Sequence, residues 1–181
     1  AYYSKTKGCR IWDLDNLRYY DMSFMGLGTN ILGYNHPDIE KKVIKIIKSG
    51  TMSTLNSVEE ILLAEKLISL HPWSEMARFT RSGGEANAVA IRIARAASGK
   101  DNVAICGYHG WHDWYLSSNI TNKKSLDQHL MNSTPIAGVP KNLKNTVFPF
   151  EYNNFQQLRA IVENKNIGTI KMEVKRNHEP T

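Results

Sequence analysis

The chain has almost no cysteine: Cys9 and Cys106 are the only two among 181 residues, and they stand far apart. That spacing excludes a disulfide-stapled scaffold, a CxxC redox pair and a cysteine-based zinc knuckle, and a reducing cytoplasm is the expected compartment. Proline and glycine are sparse, at 6 and 12 residues, which leaves collagen-like repeats and low-complexity linkers without support. Uncharged apolar runs are short, as at Ile61 to Ala64. A bilayer span needs about 20 such residues, so no membrane helix is expected. The start, Ala1-Tyr2-Tyr3-Ser4-Lys5, has neither an initiating Met nor an apolar signal core. The expectation is no export signal and a natural start that lies elsewhere. Neither GxGxxG nor a Walker lysine motif occurs, and no internal repeat is visible.

What is present suits a globular α/β protein. Hydrophobic residues make up 41% of the chain and charged ones 22%, enough for one good core at this length. The 23 Lys and Arg are dispersed among 17 acidic residues despite a net charge of +6, so a nucleic-acid partner is not expected. The densest basic stretch, Lys41, Lys42, Lys45 and Lys48, runs beside Ile39, Val43, Ile46 and Ile47 at helical spacing. It reads as a surface helix opened by His36-Pro37-Asp38 and closed at Ser49-Gly50, with its lysines toward solvent.

The order of elements follows from periodicity and punctuation. Two β-rich runs, Cys9 to Asp15 and Leu17 to Ser23, meet at the turn Asp15-Asn16 and predict a hairpin. Gly26 to Gly33 reads as a loop. Ser57 with Glu60 caps a helix that stops at His71-Pro72, and Met76 to Thr80 reads as a short strand. Ser82 opens an alanine-rich helix that closes at Gly99, followed by a buried strand at Asn102 to Cys106. Residues 117–144, poor in apolar side chains, read as an excursion. Strand, helix and strand resume at Thr146 to Phe148, Phe155 to Val162 and Ile167 to Glu173. The alternation from residue 57 onward predicts a mostly parallel sheet with flanking helices. The expected division is a small N-terminal hairpin-and-helix segment at 1–50 and an α/β portion at 51–181.

Three local features carry chemistry. Ser82-Gly83-Gly84-Glu85 places paired glycines at a helix start, where bare backbone N–H groups and the helix dipole receive a phosphate. Ser82 and Glu85 also stand at capping-box spacing, which satisfies a helix start without a ligand, and both readings stay open here. Tyr108-His109-Gly110-Trp111-His112-Asp113 follows a strand, where ligands collect in parallel sheets. Its rings suit stacking on a flat heterocycle. Core packing of Tyr108 and Trp111 is the plainer alternative, and the HxxHD spacing alone is too weak for a metal site. Glu173 ends the last apolar run and reads equally as a ligand-orienting group or a solvated carboxylate.

On these blocks the chain resembles the class III pyridoxal-phosphate aminotransferases, and most closely their glutamate-1-semialdehyde 2,1-aminomutase-like branch. The matching blocks are Gly8 to Asp15 with Tyr20-Asp21-Met22, Gly26 to Gly28 with Leu32 to Pro37, Arg78 to Ala86, Ala90 to Ala96, and Tyr108 to Asp113. The resemblance implies part of a fold-type-I transferase: an N-terminal segment followed by the first portion of the large cofactor domain. It implies pyridoxal 5'-phosphate held by Ser82, Gly83, Gly84, Tyr108, His109 and Glu173, with Gly84 replacing a usual threonine. Val174-Lys175-Arg176 replaces the usual proline after the glutamate. It also implies that the Schiff-base lysine and the ring-nitrogen aspartate lie beyond the equivalent of Thr181, so that no catalytic residue is nominated and the 181 residues alone are inactive. The implied reaction is amino-group transfer, or a 1,2-amino shift, on a small amino acid or amino-sugar-like carbonyl substrate in a homodimer. No metal is implied. A non-catalytic anion-binding module is the alternative.

Overall fold

A computed structural model describes residues 1–127, 129 and 135–174. Lys175, Arg176 and Thr181, singled out above, lie outside the described residues. The chain forms two compact units, Ala1–Met76 and Ala77–Thr181.

In the first unit, strands β1 (Tyr3–Lys7), β2 (Arg10–Asp13) and β3 (Arg18–Tyr20) form an antiparallel sheet in chain order. The β2–β3 turn is shaped by Asp13, whose Oδ1 accepts the N–H groups of Asp15 at 3.0 Å and Leu17 at 2.9 Å. Asn16 takes the left-handed conformation there, at φ 61°, which asparagine tolerates better than most residues. Strand β1 was not anticipated, because Tyr3 to Lys7 carries no apolar alternation; pairing with β2 makes it a strand. Helix α1 (Pro37–Ser49) places proline in its first turn, where no intrahelical N–H is needed, and Lys48 in its last, where its charge complements the dipole. Helix α2 (Val58–Leu70) is capped as expected, with Ser57 Oγ accepting the Glu60 N–H at 3.3 Å.

The second unit carries the core. Helix α3 (Gly83–Ser98) ends on Gly99 in the left-handed conformation, at φ 64°. Strand β4 (Asn102–Cys106) lies between β5 (Val147–Pro149) and β6 (Ile167–Met172), parallel to both. Its side chains alternate. Val103 and Ile105 pack with Ile91 of α3, Trp114, Tyr115 and Leu126, whereas Ala104 and Cys106 pack with Phe150 and with Leu158 and Ile161 of helix α5 (Phe155–Asn164). Both faces of β4 are therefore covered, which explains why it reads as an unbroken apolar run.

Two expectations fail here. Met76 to Thr80 joins no ladder among the described residues. A strand exists only through its neighbours, and none of the described strands pairs with this segment. The supposed excursion after residue 117 is partly core: Ser117, Ser118, Asn119 and Leu126 are buried. Short helix α4 (Asp113–Leu116) leads into a 3-10 turn at Ser117–Ile120. There Ser117 and Ser118 donate to the carbonyls of Trp114 and Tyr115, while Asn119 Oδ1 accepts the Leu126 N–H. Polar residues that return their own hydrogen bonds lose the penalty that would keep them at the surface.

Candidate functional site

The start of α3 is built by its cap. Ser82 Oγ accepts the Glu85 N–H at 3.2 Å, and the Glu85 carboxylate accepts the Arg81 N–H at 2.8 Å. This is a variant of the capping box, because the carboxylate reaches the residue before the cap. It leaves the N–H groups of Gly83 and Gly84, the first two of the helix, outside the cap. The helix dipole places partial positive charge at that point.

The loop after β4 lies directly against this helix start. A Cβ on Gly110 would sit 3.0 Å from the Gly84 Cα, and Gly110 itself holds φ 98°. The His112 ring lies where a Gly84 side chain would begin, 2.6 Å from an ideal Cβ. Asn87 of α3 adds a tie by donating from Nδ2 to the His109 carbonyl at 3.1 Å. The paired glycines and the ring cluster thus belong to one neighbourhood.

Tyr108 is half-buried and meets Tyr115 edge-on, with ring centroids 6.0 Å apart. His109 turns inward: it is 3% exposed, sits edge-on to Tyr115 and places Nε2 3.0 Å from the Cys106 carbonyl. A neutral ring protonated at Nε2 donates to that carbonyl. Burial, reinforced by the Lys171 ammonium, lowers its pKa from 6.5 to about 4. Trp111 is 71% exposed and stacks on His112; the core aromatics of this segment are Trp114 and Tyr115. Glu173, at the end of β6, lies against Gly107, whose added Cβ would meet Glu173 Oε2 at 2.8 Å. The Glu173 N–H donates to the Cys106 carbonyl at 3.3 Å. Lys171 is half-buried on β6, and that burial lowers its pKa while Glu173 opposes the shift.

All six sequence-nominated residues therefore lie at the start of α3 or at the carboxyl ends of β4 and β6. Gly110, Asn87 and Tyr115 were missed. Their contacts cross 22 to 26 positions of sequence or join α4 to the loop before it, and no spacing rule announces them. Among the described residues no three His, Cys, Asp or Glu side chains converge as a metal site.

The neutral state of His109 has a measurable consequence. Unfolded, its imidazole takes a proton near pH 6.5; folded, it does so only near pH 4. Between those values the unfolded chain binds more protons, so stability falls as pH drops from 6.5 toward 4, by up to about 3 kcal/mol. Urea denaturation at pH 7 and pH 5 is expected to show about 2 kcal/mol of this loss, and His109→Gln to reduce the difference between the two.

An α/β layer with an open helix start against a ring-bearing loop at the strand ends is the architecture of the pyridoxal-phosphate transferases of this fold. An omega-transaminase from Sphaerobacter thermophilus superposes with a TM-score of 0.81 at 26% identity, over 95% of this chain and 40% of that one. The FumI protein of Sphingopyxis sp. MTA144, solved in its PLP internal aldimine form, superposes at 0.75 with 25% identity, over 93% and 37%. A glutamate-1-semialdehyde 2,1-aminomutase from Campylobacter hominis is 36% identical over 172 residues, 93% of this chain and 37% of the aminomutase. Residues 1–174 match the family described as Aminotransferase class-III, and the chain belongs to that family. Its cofactor is pyridoxal phosphate. The chain spans well under half the length of the relatives it matches.

The residues present fit that cofactor at its anionic end. A Cβ built on Gly83 meets no atom within 4 Å, so an oxyanion can approach the first N–H groups of α3. His112 Nδ1, beside Gly84, is buried and without a hydrogen-bond partner among the described residues. No helix of the described residues is long and apolar enough to cross a membrane.

Proposed function

We propose that these residues belong to a pyridoxal-phosphate enzyme that transfers or shifts an amino group on a small amino acid or amino-sugar-like carbonyl substrate. The observation that carries this reading is the close approach of the α3 start to the loop of residues 107–112. It supplies a phosphate cradle and an aromatic side chain within one strand-end neighbourhood. On this reading residues 1–50 are the small N-terminal segment and 51–181 the first part of the large cofactor domain. The complete protein works in the cytoplasm as a homodimer on a small-molecule amino donor and acceptor, without nucleic acid or membrane.

Bound pyridoxal phosphate supplies an electron-withdrawing ring and a carbonyl through which an amino group passes. The chain's own residues bind and orient it. The N–H groups of Gly83 and Gly84, with the dipole of α3, hold the phosphate, and Ser82 fixes the helix start through its cap. Tyr108, held edge-on by Tyr115, would stack on the pyridine ring. His109, neutral at pH 7, acts as a positioning residue by pinning the loop to the end of β4. Glu173 places negative charge beside Gly107 at the same strand end.

Titration of the 181-residue chain with pyridoxal phosphate tests this. The cofactor's absorbance is expected to shift on binding, and inorganic phosphate to compete only weakly, since stacking on Tyr108 contributes part of the affinity. The same preparation is expected to show no amino-transfer turnover, because the Schiff-base lysine of the family is expected beyond Thr181. Phosphate binding as tight as that of the cofactor, with an unshifted spectrum, would instead identify an anion-binding module.

A further inference from the structure

We propose that His112 is a phosphate-binding residue that takes the place of a missing side chain at position 84. The inference rests on the cofactor reading above and deepens it. Three observations converge on this imidazole. Its Cε1 and Nδ1 both lie 2.6 Å from the point where a Gly84 Cβ would stand, so the ring occupies the space of a side chain on the second residue of α3. Its Nδ1 is buried and without a hydrogen-bond partner among the described residues, an arrangement that costs free energy unless a ligand completes it. One face of the ring is covered by the Trp111 indole, with centroids 5.0 Å apart and planes 30° from parallel. The ring thus stacks on an indole while its Nδ1–Cε1 edge abuts Gly84, with an unmatched nitrogen beside the helix start.

Glycine at 84 is what admits the ring, and it also removes the hydroxyl that the family resemblance places there. A ring nitrogen returns a donor to the same position. His112 is the cap residue of α4, yet its side chain makes no cap hydrogen bond. Local helix geometry therefore gives the ring no other task. The recognised chemistry is a phosphate monoester; the pyridine ring is left to Tyr108.

The test compares binding of pyridoxal phosphate with binding of pyridoxal, which lacks the phosphate, to the full-length protein. Far-ultraviolet circular dichroism and thermal melts on each variant establish that it is folded. His112→Phe keeps the ring volume against Gly84 and removes both nitrogens, so it separates hydrogen bonding from packing. The expected result is a preference for the phosphorylated form that falls at least tenfold in His112→Phe while pyridoxal affinity holds. The double variant Gly84→Thr with His112→Ala is expected to recover much of the preference, because the freed space admits a hydroxyl. The phosphorus resonance of the bound cofactor is expected to move in His112→Phe and to return toward its original position in the double variant. An unchanged preference in a folded His112→Phe overturns the assignment of His112 while leaving the cofactor site intact. Failure of the unaltered protein to bind either compound overturns the cofactor reading itself.

Discussion

Tyr115→Ala is expected to destabilise the second unit by about 3–5 kcal/mol, the range for removing a large buried aromatic. The side chain is 2% exposed and contacts three other rings edge-on: Tyr108, His109 and Trp114. Its hydroxyl donates to the Gly107 carbonyl at 3.0 Å. Tyr115 thus fills the core beneath the loop and sets the height of the loop above it. Tyr115→Phe removes only the hydroxyl, and a loss of about 1 kcal/mol is expected. Urea denaturation at pH 7 separates the two variants. Equal effects would mean that the hydroxyl, rather than ring packing, carries the contribution.

Gly110→Ala is expected to be the most damaging single-methyl change near the site. Alanine must adopt φ 98°, and its Cβ would stand 3.0 Å from the Gly84 Cα, a backbone atom that cannot rotate away. The strained backbone costs about 1–3 kcal/mol, before any displacement of the loop from α3. Loss of more than tenfold in pyridoxal-phosphate affinity is expected alongside, since loop and helix start must separate to admit the methyl group. Gly83→Ala serves as the control: its added Cβ meets nothing within 4 Å, and stability is expected to hold or rise slightly. A Gly110→Ala protein with unaltered melting and cofactor affinity would show that the two backbones are not in contact.

The sequence was most informative where one element announces itself alone. Ser57 and Ser82 mark their helices as caps, Gly50 and Gly99 close α1 and α3, and the run Val103 to Cys106 is the central strand. It was least informative where identity and environment part company. Ser117 and Asn119 look like surface residues and lie in the core, because backbone groups a few positions away satisfy them. Trp111 looks like core and is exposed, since its indole packs on His112 rather than inward. Met76 to Thr80 has strand composition without a strand partner among the described residues. At the site, the glycine pair and the ring cluster were visible as separate signals. What could not be seen was the packing that unites them, because the contact of Gly84 with Gly110 and His112 is a property of two surfaces and not of any spacing along the chain.

The pairing of β4 carries a consequence for synthesis. Both its neighbours come later in the chain, at Val147–Pro149 and Ile167–Met172. On the ribosome, Asn102–Cys106 therefore emerges well before either of its ladder partners, and its backbone N–H and C=O groups wait for Val147–Pro149 and then Ile167–Met172 to complete the sheet. Long-range parallel pairing of this kind is slow to form and prone to aggregation in the interval. Nascent chains stalled ahead of that point are the species a chaperone would be expected to hold, and premature termination there would yield aggregates, not a smaller folded protein.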